Sequence, residues 1–170
     1  MAVVVMGVAG SGKTTVGIRL AEKLHCGFYD GDDYHPAANV EKMRRGQPLT
    51  DEDREPWLDR LRQLIAEKLG AGDGLVIACS ALKDAYRKRL LPPDPGLANC
   101  VRFLYLRITP EDACARLLAR PGHFMPAALV ASQFEALEEP AGALRIDAGR
   151  PVDEVVEDAV AAFRRCHTST

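Results

Sequence analysis

The chain has 170 residues, enough for one domain that buries roughly 70% of its unfolded surface, and 47% of them are hydrophobic. A formal charge of −2, with acid and base mixed along the sequence, gives no footprint for nucleic acid or an anionic membrane. No apolar run approaches membrane-spanning length, the five scattered cysteines form no C-x-x-C pair, and a strand signal at the N-terminus leaves no room for a signal peptide, so a cytoplasmic protein with small buried thiols is expected.

Ala2-Val3-Val4-Val5-Met6 is short, apolar and rich in β-branched residues, which predicts a buried strand. Gly7-Val8-Ala9-Gly10-Ser11-Gly12-Lys13-Thr14 follows and fits G-x-x-x-x-G-K-S/T, the phosphate-binding P-loop. Residues 13–24 have helical spacing, with Val16, Leu20 and Leu24 on one face. Strand, glycine-rich turn and helix in that order are the context the motif requires. Glycines let main-chain N–H groups point into the loop, and the helix turns its positive end toward an anion. Lys13 can reach the β- and γ-phosphates of a nucleotide, and the Thr14 hydroxyl can ligate Mg²⁺.

Residues 26–30 predict a second strand, ending in Asp30-Gly31-Asp32-Asp33-Tyr34-His35-Pro36. Ligands collect at the carboxyl ends of strands in open α/β sheets, so this acidic run should face the same crevice as the P-loop. One carboxylate could hold Mg²⁺ or its waters, and another could take a proton from an attacking hydroxyl. A short helix is expected over 37–45, stopped by Gly46. Thr50-Asp51-Glu52-Asp53 resembles a capping box opening a long amphipathic helix with Leu58, Leu61, Ile65 and Leu69 at helical spacing. Arg54 lies in its first turn, where the helix dipole disfavours a cation. That suits either recruitment of an anion or a pairing with Asp51. Trp57 reads as core.

Residues 75–79 predict a third, inner strand, followed by Ser80-Ala81-Leu82-Lys83 on the ligand side. It lacks the terminal Asp of a Walker B strand, so metal support must come from Thr14, water and the acidic run. Residues 84–91 are helical, and Pro92-Pro93-Asp94-Pro95-Gly96 breaks them. A fourth strand spans 101–108. Thr109-Pro110-Glu111-Asp112 starts a helix that runs to about 119 and places Arg116 and Arg120 four apart on one face. Arg120-Pro121-Gly122-His123-Phe124-Met125-Pro126 reads as a short connection suited to a lid carrying Arg to a transferring phosphate. A helix over 127–137, a strand over 144–147, a turn at 148–151 and a last helix over 152–165 complete the chain. Strands alternating with helices predict a parallel sheet covered on both faces.

These motifs together resemble the gluconate kinase (gluconokinase) family of small P-loop kinases, from Val3 to about Pro140. The likeness rests on the P-loop, Phe28-Tyr29-Asp30-Gly31-Asp32-Asp33-Tyr34-His35-Pro36, Lys42-Met43, and the run from Pro48-Leu49-Thr50-Asp51 through Glu52-Asp53-Arg54-Glu55-Pro56-Trp57-Leu58. It continues with Cys79-Ser80-Ala81-Leu82-Lys83, Tyr86-Arg87, Gly122-His123-Phe124 and Ser132-Gln133-Phe134-Glu135-Ala136-Leu137-Glu138-Glu139-Pro140. Pro121 departs from the residue many members carry. The resemblance implies a single three-layer α/β domain over 1–170, like nucleoside-monophosphate and shikimate kinases. Its five-stranded parallel sheet would be flanked by helices, with a lid at about 116–135.

It also implies transfer of the ATP γ-phosphate, with Mg²⁺, to the terminal hydroxyl of D-gluconate, feeding the pentose phosphate pathway, in a homodimer. By that likeness Lys13, Asp32 and Arg120 would be catalytic, with Asp32 the candidate base. Gly7, Ala9, Gly10, Ser11, Gly12, Lys13, Thr14, Thr15, Arg116, Arg120, Arg150 and Pro151 would bind nucleotide, and Thr14 and Asp30 would serve the metal. Arg54 would hold the gluconate carboxylate, with Asp32, His35, Lys83, Arg87, His123 and Gln133 as further substrate contacts. A kinase for shikimate or a nucleotide is the alternative enzyme. A GTPase-like switch would need Asn-Lys-x-Asp and Asp-x-x-Gly motifs, which this sequence lacks.

Overall fold

The computed structural model describes residues 1–119 and 127–167. Five strands form one sheet: β1 (Ala2–Met6), β2 (Gly27–Asp30), β3 (Leu75–Ala78), β4 (Val101–Arg107) and β5 (Leu144–Asp147), in the order β2-β3-β1-β4-β5. All four pairings are parallel, as the alternation of elements predicts. Their register is even along the sheet: Val4 stands opposite Ile77 on one side and Phe103 on the other. β1 is the middle strand and every residue of it is at most 1% exposed, which is why it reads as a continuous apolar run rather than an alternating one.

Alternate residues of β1 feed two cores. Val3 and Val5 pack with α1 (Lys13–Leu24) and α8 (Val152–His167), through Val16, Leu20, Val156 and Phe163. Ala2, Val4 and Met6 pack on the opposite face with α3 (Asp51–Gly70) and α4 (Asp84–Leu90), through Trp57, Leu61, Ile65 and Leu90. Between α1 and α3 lie β2, a single 3₁₀ turn (Gly31–Tyr34) and α2 (Ala37–Arg44). α5 (Pro95–Ala98), α6 (Pro110–Leu118) and α7 (Ala127–Ala136) complete the helices among the described residues.

The helix starts follow local chemistry. Thr50 caps α3 by accepting the Asp53 N–H while the Asp53 carboxylate accepts the Thr50 N–H, a complete capping box. Thr109 caps α6 in front of Pro110. Two expectations need correction. The break after α4 contains a helical turn of its own, α5, because Asp94 caps the Leu97 N–H behind Pro95 at the first helical position. And α8 extends to His167, two residues beyond the expected end.

The loops that follow β1, β2, β3 and β4 all emerge at the carboxyl edge of the sheet. β1 lies where the order reverses, with β3 and β2 on one flank and β4 and β5 on the other. Its loop therefore opens into the crevice such a reversal creates.

Candidate active site

The loop over residues 7–14 is shaped for an anion by backbone that side chains would obstruct. Gly10 has φ +82°, and a Cβ there would lie 2.6 Å from the Ala113 carbonyl of α6. Gly12, with φ +90°, forms the entry to α1. Lys13 Nζ donates to the Val8 carbonyl at 2.9 Å, so the ammonium is folded across the loop it serves. The Ser11 side chain is buried, and its hydroxyl has no hydrogen-bond partner among the described residues. Thr15 is exposed on the first turn of α1. Thr14 Oγ1 donates to Asp30 Oδ2 at 3.0 Å, which ties the start of α1 to the end of β2. The Ala9 N–H donates to Gln133 Oε1 at 2.7 Å, so α7 also reaches the loop.

Arg116 spans from the P-loop to the turn after β5. Its guanidinium lies 3.8 Å from where a Gly12 Cβ would stand, and it donates to the Ala148 carbonyl. Arg150 turns instead toward α8, paired with Glu154 at 2.9 Å and with Asp158. Pro151 directly precedes α8, and its carbonyl accepts the Val155 N–H.

Beyond β2, Asp30 caps the 3₁₀ turn by accepting the Asp32 N–H at 3.1 Å. Recess in the crevice wall, and then the like charge of Asp30, raise the Asp32 pKa above its ordinary value; Lys13 opposes them. The Asp32 side chain remains 85% exposed, so solvent moderates the recess, and the neighbouring carboxylate is the firmer cause. Gly31 makes this turn possible, since a Cβ would lie 2.5 Å from the Ala78 carbonyl. Trp57 Nε1 donates to the Gly31 carbonyl at 2.7 Å from beneath.

His35 stacks on Trp57 with ring centroids 4.2 Å apart and planes 16° from parallel. Its side chain is 5% exposed, and Nε2 stands 3.9 Å from Asp32 Oδ1. Burial, helped by the Arg54 charge, lowers its pKa to about 4, so the imidazole is neutral at pH 7.

The first turn of α3 forms the facing wall. Arg54 donates to the Leu49 and Thr50 carbonyls, and its guanidinium carbon lies 5.8 Å from the Tyr86 ring centre. Asp51 is taken by Lys83, at 2.8 and 2.9 Å, and by the Tyr86 hydroxyl. Of the two readings of Arg54, pairing with Asp51 is thus not realised, and no carboxylate lies within 4 Å of Arg54 among the described residues. Arg87 is buried and donates to the Ala81 and Leu82 carbonyls at 3.0 and 2.9 Å, bracing the loop after β3. Cys79 opens that loop, and burial pushes its thiol up to about 12, which makes it inert.

The chain matches the family profile described as Shikimate kinase over residues 9–160. It is 43% identical to the gluconokinase of Gluconobacter oxydans, covering 95% of this chain and 90% of that protein. With the thermosensitive gluconokinase of Escherichia coli the identity is 44%, covering 95% and 88%. This chain belongs to the gluconokinase family. A solved gluconokinase from Sinorhizobium meliloti superposes with a TM-score of 0.84 at 40% identity, covering 97% of this chain and 92% of that one. A shikimate kinase from Aquifex aeolicus, 15% identical with a TM-score of 0.60, shares the fold alone.

For this gluconokinase-family chain, P-loop kinase membership means use of a nucleotide. Lys13, Thr14, Asp30, Asp32 and Gln133 meet around one end of the crevice. His35 stands beside Asp32, stacked on Trp57, while Arg54 and Lys83 gather around Tyr86 and Asp51. Arg120 and His123 lie outside the described residues. No helix among the described residues is long and apolar enough to cross a membrane.

Sequence reasoning passed over Asn39. It is buried, and its Nδ2 donates to the Asp53 carbonyl at 2.8 Å and lies 3.4 Å from His35 Nδ1. Its signal was faint: a polar residue four beyond a histidine, in a helix too short to show a clear face.

Proposed function

We propose that this chain phosphorylates D-gluconate at its terminal hydroxyl, using ATP and giving 6-phospho-D-gluconate and ADP. One observation carries the reading: the Thr14 hydroxyl and the Asp30 carboxylate bond at 3.0 Å, so the phosphate cradle and the acidic turn belong to a single chamber. The gluconokinase relatives name the acceptor class.

The chain's residues fit the groups this reaction needs. Main-chain amides of the P-loop and the unpartnered Ser11 hydroxyl suit phosphate oxygens. Thr14 and Asp30 are hard oxygen donors of the kind Mg²⁺ takes. Bound there, Mg²⁺ would neutralise charge on the β- and γ-phosphates. Lys13 would leave the Val8 carbonyl for the γ-phosphate. Asp32 would accept the proton of the attacking hydroxyl as the new O–P bond forms and the bond to the ADP oxygen breaks. Arg54, whose planar fork matches a carboxylate, would hold the acid end of the acceptor. Lys83 and His35 would lie along its hydroxyls, and Arg87 would act by holding the loop after β3.

Gln133 would report on the P-loop as well as the acceptor, and Arg116, Arg150 and Pro151 would border the base. Arg120 and His123 keep the lid roles that the family likeness implies. That likeness also supports a single domain with a lid at about 116–135, a homodimer and a cytoplasmic location.

The test is ATP consumption with D-gluconate as the sole acceptor, set beside shikimate, nucleoside monophosphates and other sugar acids. Turnover on D-gluconate at least tenfold above the rest, in kcat/KM, is expected (about 1.4 kcal/mol of discrimination). Preference for shikimate or a nucleotide would overturn the assignment.

A further inference from the structure

We propose that Asn39 is a positioning residue that fixes the tautomer of His35, so that the imidazole presents an Nε2–H donor beside Asp32 to an acceptor oxygen of the substrate. The Asp53 carbonyl can only accept, so the Asn39 atom 2.8 Å from it must be the amide nitrogen. Turning the carboxamide over would set oxygen against oxygen in a buried place, which burial penalises. The same nitrogen, held in this way, lies 3.4 Å from His35 Nδ1 and has only hydrogens to offer it. Nδ1 therefore accepts, and the ring proton sits on Nε2.

The ring has little freedom to escape this arrangement. It lies flat on Trp57, and the indole is itself anchored to the Gly31 carbonyl, in the turn that carries Asp32. Nε2 stands 3.9 Å from Asp32 Oδ1, too far for a hydrogen bond between them. The N–H is thus available to an oxygen placed against Asp32, as the oxygen of a polyhydroxy acid would be. Burial and the Arg54 charge keep the ring uncharged, so it offers a donor without adding a cation that would compete with Lys13 for Asp32. His35 is in this way excluded as a base at Nε2, and Asn39 acts through it without touching substrate.

The catalytic part of this proposal rests on the phosphoryl-transfer reading, whereas the tautomer does not, and two measurements keep them apart. The first uses the full chain labelled with ¹⁵N, without ligands, at pH 7. Long-range ¹H–¹⁵N correlations report each imidazole, and His35→Gln identifies the signal lost among the four histidines. The expected pattern for His35 is a protonated Nε2 and an unprotonated, accepting Nδ1. A proton on Nδ1, or on both nitrogens, overturns the proposal whatever the acceptor substrate proves to be, and this reading needs no Asn39 variant to fold.

The second is a kinetic cycle on whichever acceptor the enzyme turns over. Asn39→Ala is expected to lower kcat/KM for the acceptor about tenfold, with the KM for ATP moving less than about twofold. In a His35→Gln background the same change should cost less than about twofold, because its target is gone. Losses that multiply independently would mean that Asn39 serves only the packing of α2, and would overturn the proposal.

Discussion

Asp32, the proposed base, has the Asp30 carboxylate and Lys13 as its charged neighbours and sits in a turn that Trp57 supports. Asp32→Asn keeps the shape and removes the base. It should lower kcat by about 10²–10⁴-fold while calorimetry still finds ATP bound; turnover near that of the parent would remove Asp32 from the role. Arg54→Gln removes a charged donor from the proposed acceptor wall and should raise the KM for an acidic acceptor about 10- to 100-fold, leaving that for ATP unchanged.

His35 makes a prediction about folding rather than turnover. Its pKa is about 4 in the folded protein against an ordinary 6.5, so between those values the unfolded chain binds a proton that the folded one refuses. Stability should therefore rise with pH from about 4 to about 6.5 and then level off, by roughly 3 kcal/mol in all. Urea unfolding across that window should have a flatter slope in His35→Gln. The charges that face His35, Asp32 at its Nε2 and Arg54 from α3, remain in both proteins, so the difference isolates the imidazole.

At the scale of elements, the first turn of α3 carries Asp51 and Arg54 of the proposed acceptor wall, and a capping box holds it. Thr50→Ala removes the acceptor for the Asp53 N–H and loosens the carboxylate that Lys42 grips at 2.6 Å. Chemical denaturation should read a loss of about 0.5–2 kcal/mol, and Thr50→Ser should restore most of it. The caps at Thr50 and Thr109 were legible in the sequence because a cap is settled within four residues. Asp94-Pro95 carries the same signal, but the surrounding prolines mask it as a plain break. The Gln133 bond to Ala9 spans 124 residues of sequence and the Asn39 bond to Asp53 spans 14, so neither pairing leaves a local trace. Gln133 was legible only as a member of a motif. Arg87 was legible as a cation, and its burial against two carbonyls depends on how the loop after β3 closes.

For the molecule as a whole, the apolar runs at 2–6 and 75–79 announce inner strands because burial on both faces leaves no room for alternation, and the P-loop dictates where the ligand edge must be. The sheet order is less direct, since nothing local tells β2 to lie outside β3. One consequence of the assembled chain concerns light. The sequence contains a single tryptophan, and the fold stacks it on His35 and bonds it to Gly31, under the proposed acceptor end of the crevice. All of the protein's indole fluorescence therefore originates beside the proposed acceptor site. A sugar acid settling there should change the emission of the unlabelled chain in a saturable way, whereas a nucleotide alone should change it far less. Simple spectrofluorimetry can thus follow one substrate in the presence of the other, with no second indole to dilute the signal.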